Sequence, residues 1–138
     1  MKILIADDHD LLRDTLVMFL EGEGNIETVT ASDFDGAMAL VDAQGPFDLI
    51  MLDYNMPGMQ GLTGLKTALA HNGGQKVALM SGIATKSVAE EALAEGAAGF
   101  VPKTLSAKSL INAVRFMAMG EQYAPIDFMT QEEEAAAP

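Results

Sequence analysis

Cysteine is missing from this 138-residue chain, and basic side chains are scarce. Without thiols there is neither a disulfide nor a thiolate-ligated zinc site, and nothing in the chain demands an oxidising compartment. Lys and Arg number 8 against 20 Asp and Glu, a formal charge of −12. A surface that grips nucleic-acid phosphates or anionic lipid needs clustered positive charge, so this segment is expected to bind neither. Long apolar runs are missing as well. The N-terminus offers only Ile3 to Ala6 before Asp7 and Asp8, too short for a secretory signal. Nowhere is there the run of about 18 to 20 apolar residues that crosses a bilayer. The expectation is a cytoplasmic protein with no membrane partner. What remains, 49% hydrophobic and 20% charged residues, is the composition of a globular domain with a core of its own.

Short apolar runs alternate with longer helical patterns. The predicted strands are Lys2–Ala6, Ile26–Thr30, Asp48–Asp53, Lys76–Met80 and Gly99–Val101 with its flanks. The first and third are apolar at consecutive positions, which marks strands covered on both faces. The second alternates, as an edge strand would. Leu12, Leu16, Phe19 and Leu20 form one apolar stripe at helical spacing. Asp33 and Ser106 stand as N-caps before two further stripes, and glycines close the helices. Five strands alternating with five helices predict an α/β domain with a parallel sheet and right-handed crossovers. From Gly120 the periodicity stops. Residues 120–138 are predicted to be an acidic linker or tail, partly disordered, after a domain spanning 1–119.

In such a fold, chemistry gathers at the carboxyl ends of the strands. There the sequence places Asp7-Asp8, Asp53, Ser81 and Lys103. Two unit charges about 4 Å apart repel by roughly 4 kcal/mol at an effective dielectric near 20, so three carboxylates together need positive charge among them. Lys103 supplies one charge, and an oxygen-only donor set favours Mg²⁺ or Mn²⁺ as the other. A plainer role for Asp7, Asp8 and Asp10, favouring the following helix through its dipole, accounts for one Asp more easily than for the whole constellation. The same acids exclude a dinucleotide-binding turn, which would need glycines presenting backbone N–H groups to phosphate. Asp53, at the end of a buried strand and followed by Tyr54-Asn55-Met56-Pro57-Gly58, is the candidate nucleophile for phosphorus. Metal, Lys103 and the Ser81 hydroxyl could each stabilise one oxygen of the transferred group.

Four motifs in order, Ile3–His9, Leu49–Gly58, Leu79–Gly82 and Gly96–Lys103, give the chain a specific resemblance to two-component response regulator receiver domains over nearly all of residues 1–120. The resemblance implies a flavodoxin-like fold with five parallel strands in the order 2-1-3-4-5 and helices on both faces. It implies that Asp53 is the phosphoacceptor, supplied by a sensor histidine kinase. Asp8, Asp53 and the Asn55 carbonyl would bind Mg²⁺, with Asp7 acting mainly through water. Ser81 would be the switch hydroxyl, Lys103 the phosphate-pairing lysine and Phe100 an aromatic that turns into space that Ser81 vacates. Such a protein is not a classical enzyme but a switch that promotes its own phosphotransfer and autodephosphorylation.

The Gly96–Lys103 motif and the ending Met119-Gly120-Glu-Gln-Tyr123-Ala-Pro125 resemble receivers of LuxR/NarL-type transcription regulators. In those a helix-turn-helix domain follows a linker. The expectation is the N-terminal part of such a regulator, with DNA bound by a domain this chain lacks; a stand-alone receiver is the alternative. A haloacid-dehalogenase-like phosphatase is a weaker alternative, because Asn55 stands where that chemistry needs a second acid. Gln60 departs from the family's usual Asp without touching the metal constellation, and the apolar Ile83 is expected to slow hydrolysis of a phosphoaspartate. The acid-rich face of the first helix (Asp10, Asp14, Glu21, Glu23) and exposed apolar side chains near it are expected to steer kinase docking. The ten methionines are expected to be core filler and linker, with Met117 and Met119 as the candidates for a homodimer face on the last helix. His9 is expected to be a loop residue close to the site.

Overall fold

The computed structural model describes residues 1–74, 76–82 and 86–124. In chain order these form β1 (Lys2–Ala6), α1 (Asp10–Glu21), β2 (Glu27–Ala31), α2 (Phe34–Gln44), β3 (Leu49–Asp53), α3 (Leu62–His71), β4 (Val77–Ser81), α4 (Lys86–Ala94), β5 (Gly99–Pro102) and α5 (Ala107–Ala118). The strands make one parallel sheet in the order β2-β1-β3-β4-β5. The expected strand order is observed. Ile83 and residues 125–138, on which the expectations of slow hydrolysis and of a disordered tail rest, lie outside the described residues.

Consecutive apolar residues are needed here because each central strand feeds two cores. In β1, Leu4 and Ala6 face one side while Ile3 and Ile5 face the other; β3 divides likewise into Ile50 and Leu52 against Leu49 and Met51. The first side is closed by α2, α3 and α4 through Phe34, Val41, Leu65, Ala68 and Ala92. The second is closed by α1 and α5 through Leu16, Leu20, Leu110, Val114 and Met117. Each fully buried aliphatic side chain contributes about 1.5–3 kcal/mol relative to exposure, so the central strands hold the sheet together from both faces.

The expected caps are in place. Asp33 Oδ1 accepts from the Gly36 amide at 2.7 Å, and Ser106 Oγ accepts from the Ser109 amide at 3.2 Å. Most strands are displaced by about one residue from their predicted limits. Ile26 is buried but precedes β2, because the ladder begins where Glu27 pairs with Lys2. The methionines divide as core filler and surface. Met117 is fully buried in the core beneath α5, so of the two only Met119, 77% exposed just past that helix, is left for a homodimer face. Nor do contacts end at residue 119: Tyr123 packs beside the α5 core and pairs with β5. Among the described residues no helix is long and apolar enough to cross a membrane.

Candidate functional site

Parallel register brings the strand ends to one rim. Ala6 lies opposite Leu52, Asp53 opposite Met80 and Ser81 opposite Pro102. The residues that end or follow these strands, Asp7, Asp53, Ser81 and Lys103, therefore converge although up to 96 positions separate them in the chain. Asp7, Asp53 and Ser81 are buried. The Ser81 carbonyl also accepts the Lys103 amide at 3.0 Å, which ties the end of β5 to the end of β4.

Lys103 is the hub. Its Nζ lies 3.0 Å from Asp7 Oδ2 and 3.2 Å from Asp53 Oδ2, and its side chain is only 12% exposed. The two carboxylates respond differently. Burial pushes Asp7 upward, but the His9 amide, Lys103 and the His9 ring outweigh it, and its pKa is lowered. Burial also pushes Asp53 upward; the Asn55 amide and Lys103 offset this less well, Asp7 adds repulsion, and its pKa is raised. Asp53 is thus the buried carboxylate whose charge is least well compensated, which is the group that stands to gain from a further cation.

His9 takes a larger part than expected. Its amide donates to Asp7 Oδ1 at 2.9 Å, and its ring Nδ1 lies 3.0 Å from that oxygen, 3.4 Å from Asp8 Oδ1 and 3.8 Å from Asp53 Oδ2. Lys103 Nζ is 3.2 Å from the same ring nitrogen. The ring, 65% exposed, leans into the mouth of the acid cluster. Arg13 escaped the sequence reading altogether. Its guanidinium donates to the Asp7 carbonyl at 2.9 Å and pairs with Asp10 at 2.8 Å, fixing the loop between β1 and α1. The available signal was an arginine in the first turn of a helix, against the dipole, three residues after an acid.

The donor set fits a hard divalent cation. Asp7, Asp8, His9 and Asp53 each offer a ligand atom, all within 4.8 Å of one another. Asp7 Oδ2 and Asp53 Oδ2 are buried and engage Lys103 electrostatically, yet neither has a hydrogen bond of good geometry. Such under-satisfied carboxylate oxygens suit metal coordination, and oxygen donors prefer Mg²⁺ over softer ions. The Asn55 amide donates to Asp53 Oδ1 at 3.2 Å, which brings the loop after β3 back over the carboxylate. Phe100 is fully buried within the core closed by α2, α3 and α4, so its ring already occupies an interior position.

The profile of the response regulator receiver domain matches residues 3–115. The glycerol metabolism activator of Pseudomonas putida is 35% identical over 129 residues, which are 93% of this chain and 58% of that protein. The transcriptional regulatory protein DegU of Brevibacillus brevis is 32% identical over 123 residues, 88% of this chain and 52% of its own. Among solved structures, a LuxR family DNA-binding response regulator from Silicibacter pomeroyi superposes with a TM-score of 0.79 at 32% identity, covering 91% of this chain and 97% of that one. The chain spans about half the length of these two curated relatives.

Proposed function

Because the chain belongs to the response regulator receiver domain family, we propose that it accepts a phosphoryl group on Asp53 from a histidine kinase and passes the change to an output domain. The observation that carries this reading is Asp53 itself. It is buried, raised in pKa and within 3.2 Å of the Lys103 ammonium, at a rim shared with two further aspartates.

In the proposed step a carboxylate oxygen of Asp53 attacks phosphorus and forms a P–O bond. The P–N bond to the donor imidazole breaks, and its electron pair leaves with the imidazole, which is the neutral leaving group once protonated. Lys103, already poised between Asp7 and Asp53, follows the negative charge onto the phosphoryl oxygens. Ser81, at the end of β4, supplies a hydroxyl to a second oxygen. Mg²⁺, or Mn²⁺, held by Asp8, Asp53 and the Asn55 carbonyl with Asp7 behind them, would neutralise charge on the transferred group. Arg13 and the backbone amide of His9 are the positioning groups that hold Asp7 and its loop. In autodephosphorylation water then attacks phosphorus, the P–O bond to Asp53 breaks, and the carboxylate is regenerated with release of inorganic phosphate.

The kinase-docking surface is α1. Leu11, 83% exposed, and Met18 lie seven residues apart on one face of that helix, next to the acid rim. Asp10 and Glu23 are paired with Arg13 and Arg115, so the apolar side chains share docking with the acids of that face. The named relatives, a metabolism activator, a transcriptional regulator and a DNA-binding response regulator, support a transcriptional output through a DNA-binding domain, which would act in the cytoplasm. A phosphatase reading is not favoured, since Asn55 offers no second acid.

Incubation with acetyl phosphate and Mg²⁺ followed by intact mass tests the proposal. A gain of one phosphoryl group, abolished by Asp53→Asn and by chelation of the metal, is expected. No gain, or a gain that survives Asp53→Asn, overturns it.

A further inference from the structure

With the strand order 2-1-3-4-5, β5 is an edge strand, and an open edge invites pairing. Here the chain covers that edge itself. After α5 it turns back at Gly120, and Tyr123 pairs in parallel with Gly99. The Tyr123 amide donates to the Ala98 carbonyl at 2.8 Å, and the Phe100 amide donates to the Tyr123 carbonyl at 3.2 Å. One residue earlier, Gln122 Nε2 donates to the Leu93 carbonyl at 2.8 Å and to the Ala97 carbonyl at 3.0 Å. Leu93 lies in the last turn of α4, and its carbonyl accepts the Gly96 amide at 3.1 Å as well as the Gln122 side chain. The segment 121–124 is therefore a strap that ties α4, the turn after it and β5 together.

This strap shares a strand with the phosphoacceptor site. Lys103 follows β5 directly and reaches Asp53 and Asp7, while its amide is held by Ser81. Phe100, whose amide the strap binds, lies three residues upstream, about 10 Å along an extended strand. No loop intervenes, so β5 is a rigid link between the ammonium at one end and the strap at the other. Gly99 shows how close the approach is: a Cβ there would come within 2.9 Å of the Tyr123 carbonyl oxygen and 3.0 Å of its Cβ. Only glycine allows the strap to lie flat on the strand.

We propose that residues 121–124 are a docked output strap whose hold on β5 and α4 is tightened by phosphorylation of Asp53. The proposal rests on the phosphoacceptor reading above and adds its regulation. A phosphoryl group gives Lys103 a partner of higher charge than the carboxylate alone, fixing the end of β5 more firmly. A firmer β5 is a better template for Tyr123. The chain that follows the receiver leaves from this strap, so its anchorage reports the state of the site. Coupling between the two is reciprocal: what tightens the strap favours the phosphorylated state, and loss of the strap disfavours it.

The test uses the whole 138-residue chain, with Mg²⁺ and beryllium fluoride as the phosphoryl mimic. Amide hydrogen exchange at Tyr123 should slow by about fivefold or more when the mimic is bound. Gln122→Ala, which removes two hydrogen bonds without entering the core, should weaken binding of the mimic by about twofold or more. Gly99→Ala should do so more strongly; because its Cβ also meets Met117 Sδ at 2.6 Å, Gln122→Ala is the deciding variant. If the mimic binds and Tyr123 exchange is unchanged or faster, or if Gln122→Ala binds it as well as the parent, the coupling is refuted while the phosphoacceptor reading stands. If neither the mimic nor acetyl phosphate loads Asp53, that reading falls and the strap's role falls with it.

Discussion

Replacing Asp53 by Asn should stabilise the metal-free protein, and the gain should grow with pH. Lys103 Nζ lies 3.2 Å from Asp53 Oδ2, an attraction of about 5 kcal/mol at an effective dielectric near 20. Asp7, with a ligand oxygen within 4.8 Å, repels by about 3.5 kcal/mol or more on the same footing. Asp8 adds a smaller repulsion because its side chain is 36% exposed and screened by water. Attraction and repulsion nearly cancel. The cost of desolvating the carboxylate, several kcal/mol for a buried ion, then decides the balance and is only partly offset by the Asn55 amide. The result is the raised pKa of Asp53. Asn removes the ion and keeps an oxygen for that amide. Removing a poorly compensated buried charge should give a gain of about 1–2 kcal/mol above the folded pKa, equivalent to roughly 3–8 °C in Tm.

The sign of the pH dependence follows from the same shift. A carboxyl whose folded pKa exceeds its unfolded value binds more protons in the native state between those values. Wild-type stability therefore falls as pH rises through that window, and the penalty is complete above the folded pKa. The advantage of Asp53→Asn should be absent below the unfolded pKa and full above the folded one. Mg²⁺ should reverse the order. A ligand of the native state at 100 times its Kd adds about 2.7 kcal/mol, and the variant has lost a ligand for it. Urea denaturation of both proteins from about pH 4 to about pH 8, with and without Mg²⁺, measures all of this. A variant less stable than the parent at the upper end without metal, or a gain that ignores pH, refutes the reasoning.

Lys103→Met should cost about 3–5 kcal/mol without metal, because it strands two buried carboxylates, and the loss should shrink as the pH is lowered and they protonate; an unchanged urea midpoint would contradict the pairing. His9→Ala takes away the ring that leans between the acids, so calorimetry should show Mg²⁺ binding about threefold tighter, or ~0.7 kcal/mol. A weakening of that size would instead make the ring a ligand. Gly64→Ala should destabilise by about 1–3 kcal/mol despite alanine's helix propensity, since the new methyl collides with the Met59 carbonyl oxygen and side chain. A rise in Tm for that variant would show that the loop after β3 yields easily.

The sequence alone determined the element order, because the periodicity of apolar residues changes between strand and helix and glycines mark most of the exits. It also determined which strands lie at the centre: Ile3-Leu4-Ile5 and Leu49-Ile50-Met51-Leu52 are apolar on both faces, which only a doubly covered strand tolerates. The acids and the lysine were legible as a group because a parallel sheet brings its strand ends to one rim. Other matters needed the tertiary structure. Which carboxylate carries the unfavourable charge depends on burial and on distances to one ammonium, and Asp7 and Asp53 are alike in sequence. Met117 and Met119 differ only in the direction the helix gives them, one into the core and one to solvent. His9 and Arg13 act through a ring and a guanidinium whose positions follow from the path of the loop. The strap at Gln122 and Tyr123 left no periodic signal, because its hold consists of one bridge and a few hydrogen bonds to an edge that exists only once the sheet has formed.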